Sequence, residues 1–182
     1  MKIAESKFEG LFTLEPSTFK DERGHFTEAY NYAVLKKAGI DIQFVQDNQS
    51  YSKAGVIRGL HFQNAPRAQT KLVRVLSGSI LDVVVDLRRN KPTFGMIHAL
   101  ELSMENGKQL LVPKGFAHGF SVLSESAEVF YKCDATYSPE HERGINVEDP
   151  DLKIDWRIPA AGRIISNKDK SLPYLKETQF DF

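Results

Sequence analysis

The segment Lys71–Leu87, with the sequence KLVRVLSGSILDVVVDL, contains two runs of mainly branched apolar residues separated by a short turn. The runs are Lys71–Leu76 and Ile80–Leu87, and the turn is Ser77–Ser79, with a glycine at its centre. Two β-rich runs joined by a short glycine-containing turn predict a β-hairpin. This segment therefore indicates a chain built from short antiparallel strands.

The pattern of short strands continues along the rest of the chain. The β-rich runs recur at intervals of roughly 8 to 12 residues, a spacing that predicts an all-β sandwich or barrel. Because short antiparallel strands must close on a common core, we predict a jelly-roll barrel of two packed sheets with a few short helices. The clearest helix is expected over Asn31–Ala38, with Asn31 as its N-cap and Gly39 at its end. The further strands are predicted at Phe94–Leu102, Gln109–Val112, Phe116–Leu123 and Glu128–Cys133.

Length and charge restrict the class of protein. The chain has 182 residues, which fits one domain covering residues 1–182. Lys and Arg total 24, as do Asp and Glu, so the net charge is zero and nucleic acid is not an expected partner. The single cysteine, Cys133, cannot form an internal disulfide, and neither a signal peptide nor a membrane-spanning run is visible. We therefore expect a soluble, cytoplasmic protein without a membrane partner.

Two predicted strands carry a polar residue in an otherwise apolar row. Alternate residues of a strand share one face, so His118 and Tyr131 are expected to point into the barrel with their rows. Taken singly, each is more typical of a hydrogen-bonded core residue, whereas several inward polar residues together favour a ligand. The rows are Phe116, His118, Phe120 and Val122 in one strand, and Ala127, Val129, Tyr131 and Cys133 in the other.

Polar residues capable of chemistry are concentrated in the 26 residues from Gln46 to Lys71. Amide side chains together with Arg58 suit a phosphorylated or carbohydrate ligand, because arginine binds phosphate through two parallel hydrogen bonds. A histidine with a lysine nearby suits proton abstraction beside a carbonyl group, with His61 as base and Lys71 on the enolate oxygen. A polar rim at the protein surface explains the cluster equally well.

No motif for a metal, an organic cofactor or a nucleophile is present. None of the five histidines has the second histidine that metal-binding barrels usually carry one residue away, so only a site of two histidines and one carboxylate assembled from distant segments remains open. Nucleophile elbows, glycine-rich phosphate loops and dinucleotide fingerprints are absent. Cys133 lies within an apolar alternation and is typical of a core residue. We predict neither a metal nor a cofactor.

Eight motifs that follow one another from Phe19 to Asp169 resemble those of the dTDP-4-dehydrorhamnose 3,5-epimerases. An ordered series over most of the chain is far more specific than any one motif. The resemblance implies a cupin-like jelly roll, a homodimer, and no metal or organic cofactor. The motifs occupy Phe19–Glu28, Gln46–Ser50, Arg58–Gln63, Gln69–Val73, Asp82–Arg88, Pro113–Phe120, Tyr131–Glu142 and Ser166–Asp169.

The reaction implied by this resemblance converts dTDP-4-dehydro-6-deoxy-D-glucose to dTDP-4-dehydro-L-rhamnose by inverting C3 and C5. Both carbons flank the C4 ketone, which acidifies their protons. The resemblance makes His61 the base, paired with Asp169, and Tyr131 the acid on the opposite face of the sugar. It places Lys71 on the enolate oxygen.

Further positions match residues that bind the nucleotide sugar in the family. Tyr137 matches an aromatic residue that stacks on the thymine. The N-terminal segment reaches a neighbouring subunit's site in relatives, so Arg23 and Glu28 are expected to act across the dimer. The complete implied set is Arg23, Phe26, Glu28, Gln46, Asp47, Asn48, Arg58, Lys71, His118, Tyr137, Glu142 and Lys168.

Three other functions are compatible with the sequence. The first is a C3-only epimerase of a related dTDP-4-keto-deoxysugar. The second is a barrel that binds a sugar nucleotide without catalysing a reaction. The candidate base and acid argue against it, because binding alone does not require such a pair of residues around one ligand. A metal-dependent oxygenase is the most remote of the three.

Overall fold

The computed structural model describes all residues, Met1–Phe182, and consists mainly of antiparallel strands. None of the helices is long and apolar enough to span a membrane. The strands are β1 (Lys2–Glu5), β2 (Phe12–Glu15), β3 (Thr18–Asp21), β4 (Gly24–Thr27), β5 (Gln46–Lys53), β6 (Val56–Gln63), β7 (Lys71–Ser77), β8 (Ser79–Asp86), β9 (Ile97–Ser103), β10 (Gln109–Val112), β11 (Phe116–Val122), β12 (Ser126–Cys133), β13 (Glu142–Gly144) and β14 (Ile164–Ile165). The helices are α1 (Tyr32–Lys37) and α2 (Asn167–Lys170), with a 3-10 turn at Ala160–Gly162.

Two sheets pack face to face and form the jelly roll. The first sheet has the order β1-β2-β10-β7-β12-β5, and the second has the order β13-β6-β11-β8-β9, with β14 pairing in parallel with β6. Most neighbouring strands in each sheet are distant in sequence, as expected when a chain alternates between two sheets. The prediction of an all-β, cupin-like jelly roll with a few short helices is confirmed.

The predicted hairpin at Ser77–Ser79 is wrong, although the two strands are present. Strand β7 pairs with β10 and β12 in the first sheet, whereas β8 pairs with β11 and β9 in the second. Each strand already has a hydrogen-bonded neighbour on both sides, so the turn carries the chain from one sheet to the other. A local turn signal cannot show this, because the competing partners come from distant segments.

The apolar rows predicted for β11 and β12 lie in the core between the sheets. Phe116, Phe120, Val122, Ala127 and Val129 all belong to one cluster of 14 buried residues, and Tyr131 packs against it. Burying each large apolar side chain contributes about 1.5–3 kcal/mol, so this cluster stabilises the contact between the sheets. Polar side chains that share these rows are therefore placed at the edge of, or inside, an apolar space.

Helix α1 confirms the predicted helix within a residue at each end. The Asn31 side chain accepts hydrogen bonds from the N–H groups of Ala33 (3.0 Å) and Val34 (3.4 Å), as an N-cap residue does. The helix buries Leu35 against the outer face of the first sheet. Gly39, with φ of +86°, follows the C-cap and ends the helix.

The segment from Ile145 to the C-terminus covers the outer face of the second sheet. Trp156 is fully buried there, and its Nε1–H donates to the carbonyl oxygen of Val147 at 2.8 Å. The carbonyl oxygen of Trp156 in turn accepts from the Ser121 hydroxyl of β11 at 2.8 Å. These contacts fix the path of the chain that leads to α2 at the edge of the barrel.

Strands β3 and β4 form a separate two-stranded hairpin. Phe19 and Phe26 face each other across its ladder and are 65% and 69% exposed. An isolated hairpin is marginally stable in water, and two large exposed aromatic rings on it are unusual for a solvated surface.

The crossing between the sheets depends on Gly78. Its φ is +75°, and an added Cβ would overlap the carbonyl oxygen of Ser126 and lie 2.5 Å from the Ser124 hydroxyl. We expect Gly78→Ala to lower the free energy of unfolding by about 3 kcal/mol or more, from backbone strain plus overlap. Gly95 has φ of +73° with nothing within 4 Å of a Cβ, so Gly95→Ala should cost only about 1 kcal/mol. Urea unfolding of both variants tests this; equal losses would contradict the role of the overlap.

Candidate active site

A cavity of about 780 Å³ opens between the two sheets. It is bordered by β5, β7 and β12 of the first sheet, by β6, β11 and β13 of the second, and by α2. Most residues expected to bind or react line it, although they come from distant parts of the chain. They are Gln46, Asn48, Arg58, His61, Lys71, His118, Tyr131, Tyr137, Glu142, Lys168 and Asp169.

His61 and Asp169, which are 108 positions apart, are brought together at this cavity. His61 Nε2 lies 2.9 Å from Asp169 Oδ1, and the second carboxylate oxygen accepts from the Gly59 N–H at 3.3 Å. Ser166 caps α2 by accepting from the Asp169 N–H at 3.0 Å, which holds the carboxylate in place. Burial alone would raise the pKa of Asp169, but the hydrogen bond and charge of His61 outweigh it and hold that pKa below its usual value.

This pairing sets the state of the histidine ring. A carboxylate can only accept, so Nε2 of His61 carries a proton and the Nδ1 lone pair remains free. The His61 side chain is 30% exposed and borders the cavity. A histidine with one ring nitrogen bound to a carboxylate and the other one free is suited to act as a general base.

Lys71 and Tyr131 lie on the opposite wall, on neighbouring strands of the first sheet. Lys71 Nζ donates to the carbonyl oxygen of His61 at 3.4 Å and so reaches across the space between the sheets. Burial lowers the pKa of Lys71, and the negative charges of Asp82 and Glu142 act against that change. Burial raises the pKa of Tyr131, so its phenol keeps its proton at neutral pH.

Charged and aromatic residues surround the mouth of the cavity. Glu142 accepts from Lys168 Nζ at 2.7 Å and from the Tyr137 hydroxyl at 2.8 Å. Burial would raise the pKa of Glu142, but these two hydrogen bonds keep it lowered. Arg58 is anchored through Nε to the Ser52 hydroxyl at 2.9 Å. The Tyr137 ring is 52% exposed, so an aromatic face and two cations are available at the entrance.

Strand alternation separates the predicted residues of β5. Gln46 and Asn48 face the cavity and are joined by a hydrogen bond of 3.0 Å, and Gln46 Oε1 also accepts from the Tyr137 N–H at 2.8 Å. Asp47 points to the other face of the sheet, where its carboxylate accepts from Lys132 at 2.8 Å. The structure therefore does not bring Asp47 to the cavity of its own chain.

Three more predicted residues lie away from the cavity, on or just beyond the β3–β4 hairpin. Arg23 is exposed and forms an ion pair with Asp21 of the same hairpin. Phe26 is exposed on β4, and Glu28 follows that strand. None of the three borders the cavity of the same chain.

His118 lines the cavity from β11, and its Nε2 lies 2.7 Å from Asp82 Oδ1. The sequence did not single out Asp82 as a site residue, nor the cavity-lining polar residues Ser50, Gln63, Gln69 and Ser166. Ser50 could have been found, because it continues the alternation of Gln46 and Asn48. Gln63 and Gln69 bond to the backbone of Arg67, Ser138 and Ala135, contacts that no local pattern shows.

No group of three or more His, Cys, Asp and Glu side chains is arranged to hold a metal ion. The prediction of no metal and no organic cofactor stays a prediction.

A cupin-like jelly roll with a His–Asp pair on one wall of the cavity and a lysine and a partly buried tyrosine on the other has the arrangement expected of an enzyme that works by acid–base chemistry. A family model described as dTDP-4-dehydrorhamnose 3,5-epimerase matches residues 5–177. The chain belongs to this family of isomerases, which confirms the resemblance found in the sequence.

Similar proteins agree in sequence and in fold. A Pseudomonas aeruginosa dTDP-4-dehydrorhamnose 3,5-epimerase is 48% identical over 171 residues, covering 93% of each chain. The crystal structure of the Bacillus anthracis enzyme, with TDP and PPi bound, is 50% identical, covers 96% of this chain and 99% of its own, and superimposes with a TM-score of 0.92. A Legionella pneumophila 3,5-epimerase in complex with dTDP-4-keto-L-rhamnose is 44% identical, covers 96% and 93%, and has a TM-score of 0.91.

The cost of burying Lys71 leads to a prediction about stability. Lys71→Met keeps the length of the side chain and removes its charge, so we expect the free energy of unfolding to rise by about 1 kcal/mol at neutral pH. Because the folded state lowers the pKa of Lys71, its charge destabilises the fold below the usual lysine pKa. The difference between variant and wild type should therefore shrink as the pH rises towards about 10.

Urea unfolding at neutral pH and at about pH 9.5 measures both effects. Lys132→Met is the matched control, since Lys132 lies on the outer face of the same sheet and pairs with Asp47. The control should be neutral or slightly destabilising at both pH values. A Lys71→Met protein less stable than wild type at neutral pH would contradict the prediction.

Proposed function

We propose that this chain converts dTDP-4-dehydro-6-deoxy-D-glucose to dTDP-4-dehydro-L-rhamnose by inverting C3 and C5, with the sugar bound between the two sheets. One observation carries the proposal. His61, on β6 of the second sheet, and Tyr131, on β12 of the first, border the same cavity from opposite walls. A sugar ring between them has a base on one face and an acid on the other, which an inversion at carbon requires.

Proton removal is assigned to His61. Its Nδ1 takes the proton from the carbon beside the C4 ketone, and the electron pair of the broken C–H bond moves to the ketone oxygen. Asp169 stabilises the imidazolium that forms, as the carboxylate of a catalytic triad does. Lys71 Nζ, which already reaches across the cavity, donates to the developing enolate oxygen.

Proton return is assigned to Tyr131. Its raised pKa keeps a proton on the phenol, which it delivers to the carbon from the face opposite His61. The enolate collapses to the ketone, and the configuration at that carbon is inverted. His61 then holds one proton more and Tyr131 one fewer, and exchange with solvent restores both. The second carbon reacts in the same way.

The entrance suits a nucleoside diphosphate. Arg58 and Lys168 supply cations for the diphosphate, and the exposed Tyr137 ring supplies a face on which the thymine stacks. Gln46 and Asn48 add hydrogen-bonding groups on the adjoining wall. We place the activity in the cytoplasm, because Cys133 is a free, buried thiol and unpaired thiols are typical of reducing compartments.

Proton NMR of the substrate in D2O tests the reaction. We expect chelator-treated wild-type protein to introduce deuterium at both C3 and C5, and a coupled reductase to trap the rhamno product. His61→Asn should lower exchange about 1,000-fold, because the base is lost. Tyr131→Phe should block inversion yet retain some exchange, because proton removal remains possible.

Tyr174→Phe is the matched control, since the Tyr174 side chain lies outside the cavity, and it should behave as wild type. Incorporation of deuterium at C3 alone would contradict the double inversion and would indicate a C3-only epimerase. Binding of dTDP without exchange would favour the non-catalytic barrel. Unchanged turnover in His61→Asn would remove His61 as the base, and loss of activity on chelation would favour a metal-dependent reaction.

We further propose that the active form is a homodimer in which the β3–β4 hairpin completes the site of the neighbouring copy. Arg23, Phe26 and Glu28 belong to the expected binding set but lie away from the cavity of their own chain. The hairpin also exposes two aromatic rings, which a second copy would bury. In a twofold dimer each copy gives one hairpin and receives one.

Mixing two inactive variants tests this exchange. Arg23→Ala has a faulty hairpin and an intact cavity, whereas His61→Asn has the reverse. After random reassociation of equal amounts, half of the dimers are hybrids and each has one complete site of two, so we expect about a quarter of wild-type activity. Each variant taken alone through the same dissociation is the control. A mixture no more active than the sum of its parts, or a monomer by light scattering, would contradict the proposal.

A further inference from the structure

Asp82 is a fully buried carboxylate that the reaction described above does not use. It lies on β8 between the sheets, opposite Phe120 of β11 and Leu100 of β9 in the strand register, and close to apolar core residues. Burying an ionised carboxylate is costly unless its oxygens are well paired. Here one oxygen, Oδ2, has no hydrogen-bond partner at all. A core that needed only packing would be more stable with an apolar residue at this position.

The other oxygen of Asp82 is bound to a residue of the cavity wall. Asp82 Oδ1 lies 2.7 Å from Nε2 of His118, and only 7% of the His118 side chain is exposed. His118 is also the cross-strand partner of His61 in the pairing of β11 with β6. The histidines of two His–Asp pairs are therefore neighbours on the second sheet, and both border one cavity.

The chemistry of the pair decides which ring nitrogen of His118 is protonated. A carboxylate can only accept, so neutral His118 carries its proton on Nε2 and an unshared electron pair on Nδ1. Nδ1 makes no hydrogen bond within the chain, whereas Nε2 is already used. A ring fixed in this way presents a hydrogen-bond acceptor, which recognises a hydroxyl group.

We propose that Asp82 is a positioning residue that holds His118 as the Nε2–H tautomer, so that Nδ1 accepts a hydrogen bond from a hydroxyl of the bound sugar. The proposal rests on the proposed function, since it concerns how the same substrate is recognised. Asp82 itself does not touch the sugar, and it acts through the ring of His118.

The groups around Asp82 agree with this assignment. From β9, His98 faces the same interior, and burial lowers its pKa, so it remains uncharged there. From β7, Lys71 is the cation whose pKa the charge of Asp82 acts to raise. Asp82 thus interacts with two residues of the cavity: it is hydrogen-bonded to His118, and its negative charge acts on Lys71, the lysine assigned to the enolate oxygen.

The first test measures the tautomer directly and needs no substrate. Nitrogen-15 NMR of the histidine rings of wild-type protein, with His118→Asn used to assign the signals, distinguishes a protonated from an unprotonated ring nitrogen. We expect His118 to carry its proton on Nε2 and none on Nδ1 near neutral pH. A His118 ring protonated on Nδ1, either alone or together with Nε2, would overturn the proposal, whether or not any Asp82 variant folds.

The second test separates function from stability. Asp82→Leu removes a costly buried charge but leaves the Nε2–H of His118 without its acceptor, so the two effects oppose each other and we expect an unfolding midpoint close to that of wild type. Its kcat/KM should nevertheless fall about 10- to 100-fold, the range found when carboxylates that orient metal-binding histidines are removed. Asp82→Asn retains an acceptor oxygen and should recover part of the loss. If Asp82 had a purely structural role, Asp82→Leu would be less stable than wild type, and kcat/KM would not decrease in the order wild type, Asp82→Asn, Asp82→Leu.

A double variant and a matched control complete the experiment. In the His118→Asn background, Asp82→Leu should lower kcat/KM no further, because Asp82 acts through the absent ring. Asp86, equally buried on the same strand but bound to Arg88 and Thr93, provides the control. Asp86→Asn should lower stability and leave kcat/KM unchanged.

The outcomes separate the two proposals. Wild-type activity in Asp82→Leu, or the full loss repeated in the His118→Asn background, would overturn the role of Asp82 and leave the epimerase function intact. Wild-type protein that fails to exchange the substrate would overturn the proposed function, and the tautomer of His118 would then be judged by NMR alone.

Discussion

The hydrogen bond between His61 and Asp169 is the contact on which the rest of the site depends. It joins the second sheet to a segment 108 residues further along the chain. For it to form, the chain after Ile145 must wrap over the outer face of that sheet, where Trp156 is buried, and α2 must end at the cavity edge. The same bond selects the ring nitrogen of His61 that remains available as a base.

The space between the sheets has to satisfy two opposed demands. Along most of its length it is filled by apolar side chains, which stabilise the packing of the sheets. At one end it holds Lys71, Tyr131, His118 and Asp82, which gain little from burial and lose hydration. The lowered pKa of Lys71, the raised pKa of Tyr131 and the unpaired oxygen of Asp82 reflect this cost. Buried groups with such perturbed pKa values are typical of functional sites, where stability is commonly sacrificed for activity.

Local patterns were reliable where one strand or one helix determines the outcome. The inward rows of β11 and β12 follow from alternation alone, and α1 follows from its capping residues. The turn at Ser77–Ser79 has the local signal of a hairpin but joins two sheets, because strand pairing depends on segments far away in the sequence. Asp47 was grouped with its neighbours by motif, although alternation turns its side chain away from them. Asp82 was overlooked because an aspartate in an apolar run gives no sign of which residue it will face.

The sequence by itself determined the all-β class, the helix, the family and most of the residues that line the cavity. Those properties depend on residue types and on their order along the chain. Both can be seen directly in the sequence, as the alternation of apolar residues, the turn residues and the ordered series of motifs. The tertiary structure decided which strands pair, which wall of the cavity each of His61, Lys71 and Tyr131 lies on, and which carboxylate is hydrogen-bonded to each of His61 and His118. The physical reason is that these contacts join residues from different sheets or from segments up to 108 positions apart. Their geometry exists only once the two sheets have packed.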